Sequence, residues 1–233
     1  KPMVLVLVNG SAVAVNWAAE HVPAIVEAWY PGQAGGDAIA DVLFGDYNPS
    51  GRLPVTFYKS VEDLPPFEDY RMQGRTYRYF PGEPLFPFGY GLSYTTFAYR
   101  NLQLSVKTIG SGDTLTVSVD VQNVGERAGD EVVQLYVSDV VASVPVPIRQ
   151  LQGFERIHLM PGETKTVMFV LSPRQLSPID SDGRRIVEPG EFRISVGGCQ
   201  PESKDSAGEV KSTLIGSFEV SGEGEAVAMS EVL

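Results

Sequence analysis

Hydrophobic and polar positions follow two different patterns along the 233-residue chain, and the change falls near residue 95. Before that point, a continuous apolar run lies at residues 3–8, and mostly apolar runs lie at 24–30 and 55–58. Runs of this length between turn residues are typical of strands that are buried on both faces of a sheet. Helices are predicted between them at 17–20 and 37–44. This alternation of strand and helix predicts an α/β domain with a parallel sheet.

The helix predicted over residues 37–44 carries start and end signals. Asp37 would lie in its first turn, where a carboxylate complements the helix dipole. Gly45 follows the last apolar position and is expected to end the helix. Its apolar stripe is formed by Ala38, Ile39, Val42 and Leu43.

From residue 97 onward, apolar and polar positions alternate with a period of two, as in strands with one buried face. The alternating sets are Leu102, Leu104 and Val106; Leu115, Val117, Val119 and Val121; Val133, Leu135 and Val137; Thr166, Met168 and Val170; and Phe192, Ile194 and Val196. Glycine-containing turns separate these sets. About seven short strands separated by such turns predict an antiparallel β-sandwich of the immunoglobulin or fibronectin type III kind.

Together the two patterns divide the chain. The predicted segments are the α/β portion with its connecting loop at 1–94, the β-sandwich at 95–221, and a flexible acidic tail at 222–233. The change from apolar runs to period-two alternation places the domain boundary between Tyr94 and Arg100. Residues 214–220 are predicted to form one more edge strand, and the last few residues are expected to be disordered.

A long polar and aromatic segment at residues 61–84 has no clear period and exceeds the length of an ordinary connection. Two interpretations stay open: a surface loop near a pocket, or a strap that packs the two domains together. The run at 86–94 is rich in glycine and aromatics. Its glycines permit tight backbone paths, and its aromatics are expected to fill the joint between the domains.

Several motifs in the first part occur in an unusual fixed order. They are Trp29-Tyr30-Pro31-Gly32-Gln33, Gly35-Gly36, Leu43-Phe44-Gly45-Asp46, Asn48-Pro49-Ser50-Gly51-Arg52-Leu53-Pro54 and Phe86-Pro87-Phe88-Gly89-Tyr90-Gly91-Leu92-Ser93-Tyr94. In these residues the chain resembles the carboxyl-terminal part of family 3 glycoside hydrolases, which include β-glucosidases and β-xylosidases. The sequence after Phe97 also resembles that family's terminal fibronectin-III-like domain.

The resemblance implies a retaining β-glycosidase that releases terminal non-reducing β-D-glucosyl or related residues. Such a mechanism uses two carboxyl groups about 5–5.5 Å apart. In the family, the aspartate nucleophile belongs to an amino-terminal (β/α)8 barrel, and the usual glutamate acid/base precedes the strand that corresponds to residues 3–8. Neither motif is present in this chain. No catalytic residue is therefore assigned here.

Only about three strands of the expected sheet are present, fewer than the roughly five or six of a mean sheet. We therefore expect Lys1 to be an internal cut in a longer chain. The expected partner is the upstream barrel-bearing part of the same enzyme, as a longer chain or a second polypeptide. A β-linked glucoside or oligosaccharide would be its substrate.

Charge and composition exclude several classes of function. The net charge of −11 disfavours nucleic acids and anionic membrane surfaces, because no basic stripe is present to neutralise phosphates. Cys199 is the only cysteine and is interpreted as a passive thiol, and neither His21 nor His158 has the spacing of a metal site. No cofactor is predicted. A secreted or periplasmic location is favoured over a cytoplasmic one.

Trp29, Tyr30 and Gln33 are the candidate substrate-binding residues, at the edge of a pocket. They follow the carboxyl end of a predicted parallel strand, where open α/β sheets place their clefts. Aromatic faces also suit the C–H faces of sugars. The alternative interpretation is that these residues pack the following helix against the sheet.

The carboxylates of the first part are interpreted as structural. Asp37 is assigned to the helix start, Asp41 to a solvated helix face and Asp46 to a turn. The remaining carboxylates are assigned to the surface; they are Glu27, Glu62, Asp63, Glu68 and Asp69. Two hypotheses follow for the whole chain. It is either a non-catalytic portion of a β-glycosidase, inactive by itself, or a non-catalytic carbohydrate-binding or scaffold module whose sandwich is the working part.

Overall fold

The computed structural model describes residues 1–201 and 213–227, and the chain divides into two compact units. The first unit is Lys1–Tyr94 and the second is Thr95–Leu233. Each unit has its own sheet architecture. The first is α/β and the second is all-β, which confirms the predicted fold class.

The first unit is built on a pair of parallel strands. Strand β1 (Val4–Leu7) pairs with β2 (Ala24–Glu27), and the register runs from Val4 opposite Ala24 to Leu7 opposite Glu27. Helix α1 (Asn16–His21) connects the two strands. The parallel pairing and the connecting helix are as the alternating pattern predicted.

Helix α2 (Gly35–Phe44) follows β2 and begins slightly before the predicted start. Asp37 lies in its first turn, as expected. Gly45 adopts a left-handed conformation with φ of 83° and donates its N–H to the carbonyl of Val42 at 3.2 Å, which ends the helix. The predicted apolar stripe is only partly covered within this unit, since the Leu43 side chain is 41% exposed.

The third predicted strand, at residues 55–58, does not join the parallel pair, so that prediction is wrong. Phe57 forms an isolated antiparallel bridge with Phe86, and the two residues are joined by an N–H to carbonyl bond of 2.9 Å. The Phe57 side chain is 2% exposed. The Phe57 side chain therefore packs in a local aromatic cluster and not in the parallel sheet.

The glycine-rich run at residues 86–94 packs against residues 51–57 within the first unit. Leu53 receives the N–H of Gly89 at 2.8 Å and donates its own N–H to the carbonyl of Tyr90 at 2.9 Å. A Cβ atom at Gly91 would lie 2.3 Å from the carbonyl oxygen of Gly51. Only glycine fits this close backbone approach.

The long segment at residues 61–84 contains two short helices. They are a 3-10 helix at Val61–Asp63 and α3 (Thr76–Tyr79). The part between them forms a surface loop. Within the first unit, the Tyr77 ring stacks on Phe88 with centroids 4.1 Å apart.

The second unit is a sandwich of a three-stranded and a five-stranded sheet. The three-stranded sheet has the order β3 (Phe97–Leu104), β5 (Leu115–Asn123) and β8 (Thr164–Leu171). The five-stranded sheet has the order β4 (Thr108–Gly110), β11 (Leu214–Ser221), β10 (Gly190–Gly197), β6 (Gly129–Asp139) and β7 (Gln150–Leu159). A short helix, α4 (Pro173–Leu176), and a strand pair, β9 (Ile186–Val187) with β12 (Glu225–Ala226), complete the described residues.

The core of the sandwich is apolar and closely packed. Its fully buried side chains come from both sheets and include Leu115, Val117, Val119, Val121, Val133, Leu135, Leu159, Leu171, Ile194 and Val196. The alternation predicted for β5, β6 and β10 is confirmed. Strand β7 was not predicted, because charged Glu155 and Arg156 interrupt its apolar pattern.

The face assigned to β8 is wrong. Met168 and Val170 are 67% and 60% exposed, whereas Val167 and Leu171 point into the core. The register explains this choice: Leu171 lies opposite the buried Leu115 of the neighbouring strand. Sequence alternation alone does not say which of two apolar faces will find a partner sheet.

Two predictions near the end of the chain also need correction. Strand β11 is not at the edge, because β4 pairs with it in parallel from Glu219 opposite Thr108. The tail predicted at 222–233 contains a short paired strand, since Ala226 lies opposite Ile186. The end of that predicted tail, residues 228–233, lies outside the described residues.

We expect the two units to differ in how well they fold alone. Among the described residues, no third strand pairs with β1 or β2, and two-stranded sheets are marginally stable in water. The sandwich encloses its own core. A shortened chain that starts near residue 97 is expected to be a monomer that unfolds cooperatively, whereas the purified 233-residue chain dimerises or aggregates through the exposed edge of β1. Light scattering checks this, and a stable monomer of the full chain would contradict it.

Candidate functional site

The carboxyl ends of β1 and β2 lie at the same edge of the parallel pair, where α/β sheets place their binding clefts. Asn9 follows β1 and Glu27 ends β2. The Asn9 amide donates to the Glu27 carboxylate at 3.2 Å and to the carbonyl of Ser11 at 2.7 Å. The other Glu27 oxygen accepts the backbone N–H of Trp29 at 2.9 Å. Glu27 therefore holds the two loops at this edge together.

Trp29 leaves the strand in a strained conformation. Its φ is +52°, in the left-handed region that few non-glycine residues adopt. This turn ends β2 at Glu27, before the predicted end of the strand. The half-buried Trp29 ring meets Phe57 edge-on, with centroids 6.1 Å apart. Its ring therefore has a packing contact, but with Phe57, which belongs neither to α2 nor to the parallel pair.

Tyr30 and Gln33 are exposed at the same edge. The Tyr30 side chain is 75% exposed, and its ring covers Gly10 so closely that a Cβ there would lie 2.7 Å from the ring. Gln33 lies in the turn that precedes α2. These two side chains present one aromatic face and one amide to solvent. An amide and an aromatic face can together contact the hydroxyls and C–H face of a sugar.

Two carboxylates of the long segment, Asp63 and Asp69, have structural roles. Asp63 accepts the N–H of Ser60 at 3.0 Å, and the Ser60 hydroxyl accepts the N–H of Glu62 at 3.1 Å, which is a capping arrangement. The Arg71 side chain bonds both oxygens of Asp69, and its side-chain and backbone bonds lower the pKa of Asp69 to about 2. A general acid needs the opposite shift.

Sequence reasoning missed the role of Arg75. Its half-buried guanidinium donates to the backbone carbonyls of Asp69 at 2.6 Å, Pro66 at 3.1 Å and Arg71 at 3.2 Å. These bonds hold the loop in one conformation. The only signal in the sequence was an arginine directly after a glycine turn, in a loop dense in proline. That signal does not identify which carbonyls the arginine will reach.

The pairing of Asp69 with Arg71 predicts a pH dependence. The folded-state pKa of about 2 lies below the ordinary value of 3.8, so the pairing contributes fully above about pH 4 and is lost as the pH falls toward 2. An NMR titration of the Asp69 carboxyl carbon in the whole protein is expected to show this low midpoint. The Arg71→Gln variant is expected to move the midpoint up, and an unchanged midpoint would contradict the assignment.

The described residues offer neither a metal site nor a membrane-spanning helix. Within residues 1–201 and 213–227, no group of three or more His, Cys, Asp or Glu side chains could hold a metal ion. Over the same residues, no helix is both long and apolar enough to cross a membrane.

Comparison with known families accounts for both units. Residues 1–94 match the family model described as "Glycosyl hydrolase family 3 C-terminal domain". Residues 131–200 match the model of the "Fibronectin type III-like domain". This chain belongs to glycosyl hydrolase family 3. The first match coincides with the α/β unit, and the second lies within the β-sandwich.

Curated relatives of this family 3 chain are glycosidases. It is 48% identical over 202 residues to a "Beta-xylosidase" of Formosa agariphila, covering 84% of this chain and 28% of the relative. It is 45% identical over 209 residues to a "Periplasmic beta-glucosidase" of Salmonella typhimurium, covering 84% of this chain and 27% of the relative. The chain therefore spans somewhat more than a quarter of the length of these relatives.

Solved structures of family 3 enzymes have the same fold. A β-glucosidase 3B from Thermotoga neapolitana, solved with α-D-glucose, matches with a TM-score of 0.84 and 34% identity over 97% of this chain and 32% of that one. A mutant β-glucosidase from Listeria innocua, solved with laminaribiose, matches with a TM-score of 0.78 and 33% identity over 96% of this chain and 31% of that one.

Proposed function

We propose that the whole protein is a retaining β-glycosidase that releases terminal non-reducing β-D-glucosyl or β-D-xylosyl residues. The observation that carries this proposal is the match of the entire first unit to the family 3 C-terminal domain, together with relatives named as β-glucosidases and β-xylosidases. The 233 residues would complete the α/β domain and carry the fibronectin-III-like domain. The two catalytic carboxyl groups would lie outside them, in the part of the relatives that this chain does not span.

Within that enzyme, Trp29, Tyr30 and Gln33 would form one edge of the substrate pocket. Their position at the carboxyl ends of the parallel strands supports this role, as does the exposure of the Tyr30 ring. Trp29 would act by fixing the backbone that presents the other two. A Tyr30→Ala variant of the whole enzyme is expected to raise KM more than it lowers kcat.

We further propose that the barrel-bearing part precedes this chain in one longer polypeptide, as it would in relatives of greater length. A periplasmic or secreted location is supported by the name of the Salmonella relative. No observation favours the alternative of a non-catalytic carbohydrate-binding or scaffold module.

Two measurements test the proposed function. Intact mass and amino-terminal sequencing of the protein from its source should reveal a polypeptide several hundred residues longer, or a co-purifying partner. That material should hydrolyse an aryl β-glucoside or an aryl β-xyloside. A polypeptide that begins at Lys1, has no partner and hydrolyses neither compound would overturn the proposal.

A further inference from the structure

Residues 65–75 form a compact loop, called the aromatic loop below. It contains two hydrogen-bonded turns. In the first, Asp69 donates its N–H to the carbonyl of Pro66 at 3.0 Å, and in the second, Arg75 donates to the carbonyl of Met72 at 2.9 Å. The loop therefore has a defined backbone path despite lacking helix or strand.

The ends of the aromatic loop meet. Gly74 has a φ of +74°, and a Cβ atom there would lie 3.2 Å from Cγ of Pro65. The three carbonyl bonds of the Arg75 guanidinium clamp the loop from inside. Compact loops of this kind, with close ends packed by their own side chains, are frequently functional.

Two aromatic side chains project from this clamped loop. Phe67 and Tyr70 are each 88% exposed, the highest exposure among the large hydrophobic residues that the structure describes. Aromatic side chains offer a large contact area and lose little conformational entropy on binding, particularly on a backbone that is already fixed. The loop thus presents two aromatic side chains on a fixed backbone, and neither side chain is buried in a core.

The base of the aromatic loop is linked to the strand edge. The N–H of Thr76, whose φ is +56°, donates to the Tyr58 hydroxyl at 2.7 Å. Burial raises the pKa of that hydroxyl, and its oxygen accepts this bond. Tyr58 follows Phe57, which contacts the Trp29 ring. The base of the loop is therefore bonded to the residue directly after the one that contacts Trp29.

We propose that the aromatic loop binds a β-linked saccharide chain, with Phe67 and Tyr70 stacking on sugar units beyond the terminal one that is released. This inference deepens the proposed function and rests on it. The neighbouring Glu68 side chain is exposed and supplies acceptor oxygens for sugar hydroxyls at the rim of the aromatic surface, where Arg71 is bonded to Asp69. Arg75 is a positioning residue that holds this surface in place.

The proposal is tested in the whole enzyme with Phe67→Ala and Tyr70→Ala. Each variant is expected to lower kcat/KM for laminaritetraose or cellotetraose roughly two- to twelvefold, through KM, because a stacked aromatic contact is worth about 0.5–1.5 kcal/mol. Hydrolysis of an aryl β-glucoside is expected to stay within twofold. Phe44→Ala is the matched control, since Phe44 is 84% exposed but lies on α2, outside the loop. It should leave both substrates unaffected.

A direct binding measurement decides the case where the whole enzyme hydrolyses neither substrate. The Phe67 and Tyr70 ring signals of the whole wild-type protein should shift in NMR spectra on addition of either tetrasaccharide, and Arg75→Ala should weaken this response. Signals that do not move would overturn the proposal. A second result would also overturn it: variants that lower the turnover of both substrates equally and also lower the melting temperature. That result would show that the two aromatic side chains pack against protein.

Discussion

The isolated 233-residue chain is expected not to hydrolyse an aryl β-glucoside. Retaining glycoside hydrolysis needs a positioned acid and a positioned nucleophile. In the first unit, Glu27, Asp63 and Asp69 are held by hydrogen bonds or an ion pair, and Asp37 lies in the first turn of α2. Loss of such groups typically costs at least about 10⁴-fold in rate. A purified preparation should therefore show turnover at least that far below a complete family 3 enzyme.

The assay needs a control for contaminating host glycosidase. A chain carrying Asp37→Asn, Asp41→Asn and Glu68→Gln together serves this purpose, because a contaminant's activity would be identical in both preparations. Turnover comparable with that of a complete enzyme, lost on these substitutions, would contradict the prediction. It would identify an overlooked catalytic carboxylate in the first unit.

The largest expected loss of stability follows from Phe192→Ala in the sandwich. Phe192 is 1% exposed, and its ring stacks on that of Phe218, directly opposite in the sheet, with centroids 5.4 Å apart. Truncation removes the buried ring and leaves a cavity between the sheets, which costs about 3–5 kcal/mol in free energy of unfolding. Small domains are stable by only about 5–15 kcal/mol, so this loss removes a large share of the free energy of unfolding.

Urea unfolding of the shortened chain that starts near residue 97 measures this effect. Val170→Ala on β8 is the matched control, because its side chain is 60% exposed and the loss should stay within about 0.5 kcal/mol. Equal losses in the two variants would show that Phe192 lies outside the core. A changed slope of the unfolding curve would instead show that the compactness of one state has changed.

The sequence predicted both architectures because each has its own periodicity. Apolar runs at β1 and β2 with a connecting helix led to the parallel pair, and period-two alternation at β5, β6 and β10 led to the sandwich. The motifs from Trp29 to Tyr94 led to the family. In each case the pattern lies in residues that are close together along the chain, so the sequence alone is enough to recognise it.

Other features depend on partners that are distant in sequence. Residues 55–58 have a strand's composition, yet Phe57 pairs with Phe86 in place of a sheet strand. Val167 and Met168 are both apolar, and only the register opposite β5 decides which of them is buried. The sequence shows that such residues are hydrophobic, whereas the tertiary contacts select where that hydrophobicity is used.

The candidate site shows the same division. The sequence by itself determined the family and placed Trp29, Tyr30 and Gln33 after a strand. Only the tertiary structure decided that Glu27 joins the two strand ends and that Arg75 clamps the aromatic loop. The physical reason is that a guanidinium or carboxylate has several possible hydrogen-bond partners, and the folded backbone determines which of them come within reach.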